Sequence, residues 1–278
     1  MAVSSSELLG PAVELSHRPQ ALVLPFLGAL VLDRQGVRVR STVFLRLLGD
    51  LGVAEPAARA TLHRMRERGL LDRQRSGREV TWTITEFGSA LLTRNRERVE
   101  ADDPFARTDD TWTLLSYSMP ETRRDLRHQV RATLGWAGFG GLRDGLWIAP
   151  GTIDVEQVLR DAGLDELGDL ADWFSARPLP GTDVADVICR AWDLGAVAAV
   201  HEAFLDRWQA PPTDLGILPR FTLLGADWLQ VLRVDPGLPV AHLPDGWPAP
   251  ESARLHARLL REWREQAVAE LDRQLADG

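Results

Sequence analysis

From Ser41 to Ile84 the chain sets two short helical patterns ahead of an arginine-rich hairpin, and that order of elements leaves few folds open. In the first pattern Val43, Phe44, Leu47 and Leu48 share one face, with Ser41 as the expected cap and Gly52 at the exit. The second begins near Pro56, a residue favoured in a first turn, and ends at Gly69. Its Ala58, Leu62 and Met65 recur at i, i+4 and i+7, which turns Arg59, Ala60, His63 and Arg64 to the open side. Val80 to Ile84 alternates apolar and polar residues as a half-buried strand does, and Ser76-Gly77 supplies the turn from a strand at Leu70 to Arg73. The tip of the hairpin reads Arg73-Gln74-Arg75-Ser76-Gly77-Arg78.

A helix pair feeding such a hairpin predicts a winged helix-turn-helix. The second helix then faces base edges in the major groove while the loop reaches phosphates or the minor groove. The candidate DNA-binding residues are Arg59, Ala60, His63 and Arg64 on the helix, with Arg75 and Arg78 in the hairpin. Charge is divided in the same sense. Met1 to Arg98 hold 15 arginines against 10 carboxylates, and the remainder holds 17 against 30. Only the first third is suited to a polyanion.

The whole chain is expected to be α+β in four stretches: a flexible tail at 1–17, the winged helix at 18–100, a ferredoxin-like domain at 105–180 and a helical C-terminal domain at 181–278. A dense apolar run from Gln20 to Leu32 predicts a buried helix that is either kinked at Pro25 or begun there. Trp112 to Ser118, Phe139 to Leu142, Leu146 to Ala149 and Leu170 to Phe174 read as strands, with helices over Arg123 to Gly135 and Ile153 to Ala162. That order is βαββαβ. The last helix, Glu251 to Leu275, repeats Leu255, Leu259, Trp263, Ala267, Leu271 and Leu275. The stripe is either a dimer seam or a lid on its own chain, and spacing of i+4 drifts off a coiled-coil repeat. A homodimer is expected in either case, because one winged helix buries too little DNA to be selective.

Enzyme chemistry is not predicted. There is no Gly-x-Ser-x-Gly elbow, Walker loop or dinucleotide fingerprint, and the six histidines lack metal-ligand spacing, so no catalytic residue, metal or cofactor is assigned. The single Cys189 excludes an intramolecular disulfide and, beside Ile188 in a helical pattern, is expected to be a small core residue. No run approaches the roughly 20 apolar residues of a membrane span, and no basic start leads into an apolar stretch, so a cytoplasmic protein is expected.

Nine of the ten tryptophans lie beyond the first domain. They fill cores, or Trp136, Trp147, Trp173, Trp192 and Trp228 wall a pocket for an aromatic or acyl effector. The candidate effector-binding residues are Arg143, Trp147, Arg190, Trp192 and Arg220. Should the effector be a CoA thioester, arginines such as these would meet its phosphates.

Thr42 to Leu51, Arg59-Ala60-Thr61-Leu62-His63-Arg64-Met65, Gly69-Leu70-Leu71 and Ile84-Thr85-Glu86-Phe87-Gly88 resemble the N-terminal pattern of the PaaX family, repressors of phenylacetate catabolism. Gly145-Leu146-Trp147-Ile148-Ala149-Pro150 is similar to its middle segment. Arg190-Ala191-Trp192-Asp193-Leu194 and Asp235-Pro236-Gly237-Leu238-Pro239 are similar to its C-terminal segment. The resemblance implies a dimeric repressor of a double-stranded DNA operator, released by a small effector that is phenylacetyl-CoA in the best-known members. Ala54-Glu55 stand where the family tends to place a small hydroxyl, which predicts a weak cap. Tyr117-Ser118-Met119-Pro120 also resembles the Cas2 fold, whose nucleases carry a metal-binding aspartate where this chain has Ser118. Asp125, one turn away, keeps a metal-dependent nuclease or RNA-processing protein with a winged-helix docking domain as the alternative, but serine is a poor magnesium ligand.

Overall fold

The computed structural model describes residues 15, 17–34, 36–77, 79–105, 110–119 and 123–276. Their elements are α1 (Pro19–Phe26), β1 (Val39–Arg40), α2 (Ser41–Asp50), α3 (Glu55–Glu67), β2 (Leu71–Ser76), β3 (Glu79–Ile84) and α4 (Glu86–Glu100). There follow β4 (Trp112–Tyr117), α5 (Arg124–Trp136), β5 (Gly140–Arg143), β6 (Leu146–Pro150), α6 (Val155–Asp161) and β7 (Ala171–Ala176). Last come α7 (Val184–Ala191), α8 (Leu194–Gln209), α9 (Ile217–Val234) and α10 (Ala249–Ala276). The chain groups into two units, one of Met1–Asp102, Glu202–Gln230 and Glu251–Gly278, the other of Asp103–His201 and Val231–Pro250.

In the first unit, α1 gives way to a π-helical turn at Leu27–Val31 soon after Pro25, whose ring cannot donate to the helical ladder. Phe26 at that junction meets the edge of Phe44 at 5.4 Å, which joins α1 to α2. The strands form an antiparallel sheet in the order β1-β3-β2, and Gly77 turns the hairpin with a φ of 60° that side chains resist. Ser41 is the first residue of α2 rather than its cap. Arg40 occupies the cap position without a side-chain bond, and Ser41 Oγ instead accepts from Trp82 Nε1 at 2.8 Å, tying α2 to β3.

Thr85 caps α4 by accepting from the Gly88 N–H at 2.9 Å, and its own hydroxyl donates to the Gly69 carbonyl at 2.5 Å. A Cβ at Gly88 would come within 2.3 Å of the Leu70 carbonyl oxygen, so the glycine lets α4 lie directly on the start of β2. Glycine to alanine inside a helix ordinarily stabilises by up to ~1 kcal/mol. Gly88→Ala is expected to destabilise by about 1–3 kcal/mol instead, because the obstacle is backbone. An unfolding midpoint equal to or above that of the unsubstituted chain would refute this packing.

Along α10 the stripe Leu255, Leu259, Trp263, Ala267 and Leu271 is buried within the chain itself, so that face is a lid and not an open dimer seam. Its polar flank is tied down as well. Arg261 meets Asp102 at 3.0 Å, Arg264 meets Glu100 at 2.8 Å, and Arg40 Nη2 donates to the carbonyls of Gln274 and Leu275 at 2.5 and 3.1 Å. A cation at the last carbonyls complements the negative end of the helix dipole. Arg96 grips both oxygens of Asp33 at 2.8 Å, and that hydrogen bonding holds the Asp33 carboxyl below its ordinary value.

In the stretch expected as a tail, Leu15 is buried and His17 is half-buried with its side chain only 6% exposed. Arg207 donates to the Leu15 carbonyl at 3.1 Å, and His17 Nε2 pairs with the carboxylate of Asp227. Asp227 is fully buried on α9. It also accepts from Arg207 at 3.1 Å on both oxygens and from Trp208 Nε1 at 2.8 Å. Nearby, His256 of α10 stacks on Trp228 at 4.2 Å with planes 9° apart, and burial pushes its imidazole down to about 3.

The second unit carries an antiparallel sheet in the order β5-β6-β4-β7, reached in the sequence order β4-α5-β5-β6-α6-β7. One face, with Leu115, Tyr117 and Ala149, packs on Val130 and Leu134 of α5 and Leu159 of α6. The other, with Trp112 and Ile148, packs on Ile188 of α7 and on Leu238. Asp235, buried, pairs with His201 at 2.9 Å and accepts from the Gly237 N–H at 2.7 Å, which fixes the turn after α9. Cys189 is exposed, contrary to the expectation of a core residue. The short α7 buries Ile188, and the roughly 100° step to the next residue carries the thiol outward. Trp136 also departs from the core, at 65% exposure beneath the Arg233 guanidinium at 4.4 Å.

Candidate nucleic-acid interface

Burial of Ala58, Leu62 and Met65 sets the rotation of α3, and Arg59, Ala60, His63 and Arg64 stand exposed on its other side. Ala54 occupies the cap position without a side-chain bond, and Pro56 sits in the first turn. Thr61 is buried between the two faces. Its hydroxyl donates to the Ala57 carbonyl at 2.8 Å and accepts from Arg64 Nη2 at 3.0 Å, which steers that guanidinium. Arg59 pairs with Glu55 at 2.7 Å and His63 with Glu67 at 3.2 Å, each one turn away. Both pairs are exposed and worth little in water, so an approaching polyanion can open them.

The hairpin brings its own cations. Arg73 pairs across the sheet with Trp82, and Arg75 with Val80. Arg75 is exposed and donates from Nε to the Gly77 carbonyl at 3.1 Å, across the turn. Arg78, the other hairpin candidate, lies outside the described residues. Between the N-terminal part of α2, the face of α3 and the hairpin lies a concavity of about 830 Å³. Among the described residues, Arg40, Arg46, Arg59, His63 and Arg73 line it, with Glu79 the one carboxylate and Gln274 also in the lining.

Arg46 and Arg73 were absent from the residues picked out by sequence. The signal for Arg46 was its position four residues after Thr42, off the face of Val43, Phe44, Leu47 and Leu48. For Arg73 it was the two-residue period that places it on the same side of β2 as Arg75.

The effector candidates are dispersed. Trp147 packs with the sheet face that carries α5 and α6, whereas Trp192 lies against the opposite face, where its ring covers Gly140. Arg143 is exposed on β5, and Arg190 pairs with Asp186 at 2.9 Å. Arg220 belongs to the first unit, where it lies over Trp263 at 5.6 Å and donates to the Leu215 carbonyl at 2.7 Å. Ser118 and Asp125 are both exposed, and among the described residues no three His, Cys, Asp or Glu side chains gather as a metal site would require.

Three family models match in chain order: a PaaX-like protein at residues 18–88, the PaaX protein central Cas2-like domain at 106–188 and the PaaX-like protein C-terminal domain at 192–273. The chain belongs to the PaaX family. The PaaX match at 18–88 takes in α2, α3 and the whole hairpin, and the central match gives the second unit a Cas2-like domain. The transcriptional repressor PaaX of Escherichia coli strain K12 is 27% identical over 217 residues, which is 72% of this chain and 66% of that protein. In fold, the chain is similar to the uncharacterized protein Rv0674 from Mycobacterium tuberculosis, with a TM-score of 0.57 at 23% identity over 95% of this chain and 99% of that one. Among the described residues no helix is long and apolar enough to cross a membrane.

Proposed function

We propose that this PaaX-family chain is a DNA-binding transcriptional repressor, cytoplasmic and dimeric, with a winged helix-turn-helix at 18–100, a ferredoxin-like domain at 105–180 and a helical C-terminal part at 181–278. The observation that carries the reading is the arginine-lined concavity beside the exposed face of α3. An α-helix fits a major groove, and the exposed face of α3 with the Thr61–Arg64 bond supports Arg64 as the base-reading side chain. The order β4-α5-β5-β6-α6-β7 and the strand order β5-β6-β4-β7 support the ferredoxin-like assignment. The name of the Escherichia coli relative supports repression.

A small effector, an acyl-CoA thioester or aromatic acid, is the proposed release signal, with phenylacetyl-CoA the first to try. It must favour the arrangement that does not fit the operator, since equal affinity for both would shift nothing. The test is binding to the DNA upstream of the chain's own gene, with and without phenylacetyl-CoA. Arg64→Ala is expected to weaken operator binding by about 1–3 kcal/mol and to flatten the preference over unrelated DNA. Retained selectivity would remove Arg64 from base readout. A purified protein that ignores that promoter at low salt would end the repressor reading.

A further inference from the structure

We infer that the concavity between α2, α3 and the hairpin seats one sugar–phosphate strand of duplex DNA, with Arg46 and Arg73 as its backbone contacts. This rests on the DNA-binding reading above and adds two residues to it. Among the described residues, three of the five basic side chains lining the cavity are already engaged. Arg40 faces Glu79 at 3.7 Å and holds the last carbonyls of α10, Arg59 is paired with Glu55, and His63 with Glu67. Arg46, from α2, and Arg73, from β2, are exposed and take part in no ion pair among the described residues.

Two guanidiniums left unneutralised around one concavity make a standing positive potential that an anion relieves. A phosphodiester supplies paired acceptor oxygens that match the guanidinium fork. The first turn of α2, Ser41 and Thr42, lines the same cavity, and no side chain caps its first amides, so the positive end of the helix adds to the field. A cavity of about 830 Å³ is far larger than a single phosphate needs, which favours a polymer strand over a small ion.

The experiment measures binding of the full chain to a short labelled duplex of unrelated sequence across a salt series. Arg46→Ala and Arg73→Ala are each expected to make log K less steep in log salt by about 0.9 units, which is about eightfold weaker binding near 0.1 M salt. Arg46→Lys and Arg73→Lys should keep the slope, because the charge remains. Arg131→Ala, on α5, should change nothing, and the unfolding midpoints of all variants should stay in place since these side chains are exposed. If the unsubstituted chain binds but both alanine variants keep its slope, the strand seat is wrong while the DNA-binding reading stands. If the unsubstituted chain binds no duplex at all, both fall. If inorganic pyrophosphate displaces the duplex beyond what its ionic strength explains, and Arg46→Ala abolishes that effect, the cavity is a small-anion pocket and the strand assignment is overturned.

Discussion

Asp227→Ala is expected to cost about 3–5 kcal/mol, the largest loss from any side chain described above. The carboxylate is fully buried, and its removal strands three partners at once. Trp208 Nε1 loses its acceptor inside the core, Arg207 keeps its charge with only the Leu15 carbonyl and partial solvent exposure to answer it, and His17 loses its anchor on α9. Each unmet buried polar group carries a desolvation penalty of about 1–3 kcal/mol. Native domains have a margin of only about 5–15 kcal/mol, so the variant should unfold well before the unsubstituted chain in urea. Much of the loss is an orphaned charge and not a forfeited attraction. Adding Arg207→Met to Asp227→Ala should therefore recover part of the stability instead of lowering it further. A loss under about 1 kcal/mol, or strictly additive effects of the two substitutions, would contradict this account of the node.

His256 makes folding sensitive to acid. Burial against Trp228 lowers its imidazole to about 3, below the ordinary 6.5 of an exposed histidine. Between those values the unfolded chain binds a proton that the folded chain refuses, so folding stability is full above about pH 6.5 and falls as the pH drops toward 3. The slope is about 1.4 kcal/mol per pH unit for one such group. Over two units of that window the loss reaches about 2–3 kcal/mol. His256→Gln removes the titrating group, so its stability should decline less steeply between pH 6 and pH 4 than that of the unsubstituted chain. Parallel curves in urea titrations across that range would show that His256 does not take up the proton.

Much of this was legible in the sequence, for reasons that vary with the element. The faces of α2 and α3 could be read because a 3.6-residue period leaves the same residues inside whatever they pack against. The hairpin could be read because alternation and a glycine turn are local. Asp227 could not. In Leu224-Gly225-Ala226-Asp227-Trp228 a lone acidic residue looks like a solvated position, and only the fold brings His17, Arg207 and Trp208 to it. Cys189 was misread for the converse reason, since one neighbouring isoleucine does not say which side of a short helix is covered. The stripe on α10 announced a buried face without naming its partner. Arg46 was passed over because its value lies in sharing a cavity with β2, a contact between segments far apart in the chain.

The grip of Arg40 on the final carbonyls of α10 bears on how genetic screens would be interpreted. On the repressor reading proposed above, alleles that lose repression through changes at Asp272 or Gln274 would map to the far end of the sequence and invite assignment to a C-terminal function of their own. Because Asp272 meets Arg34, and Gln274 lines the same hollow as Arg59 and Arg73, the proposed strand seat would group such alleles with DNA-contact defects. Distance along the chain would then be a poor guide to phenotype, because α10 ends beside the fold of its first hundred residues.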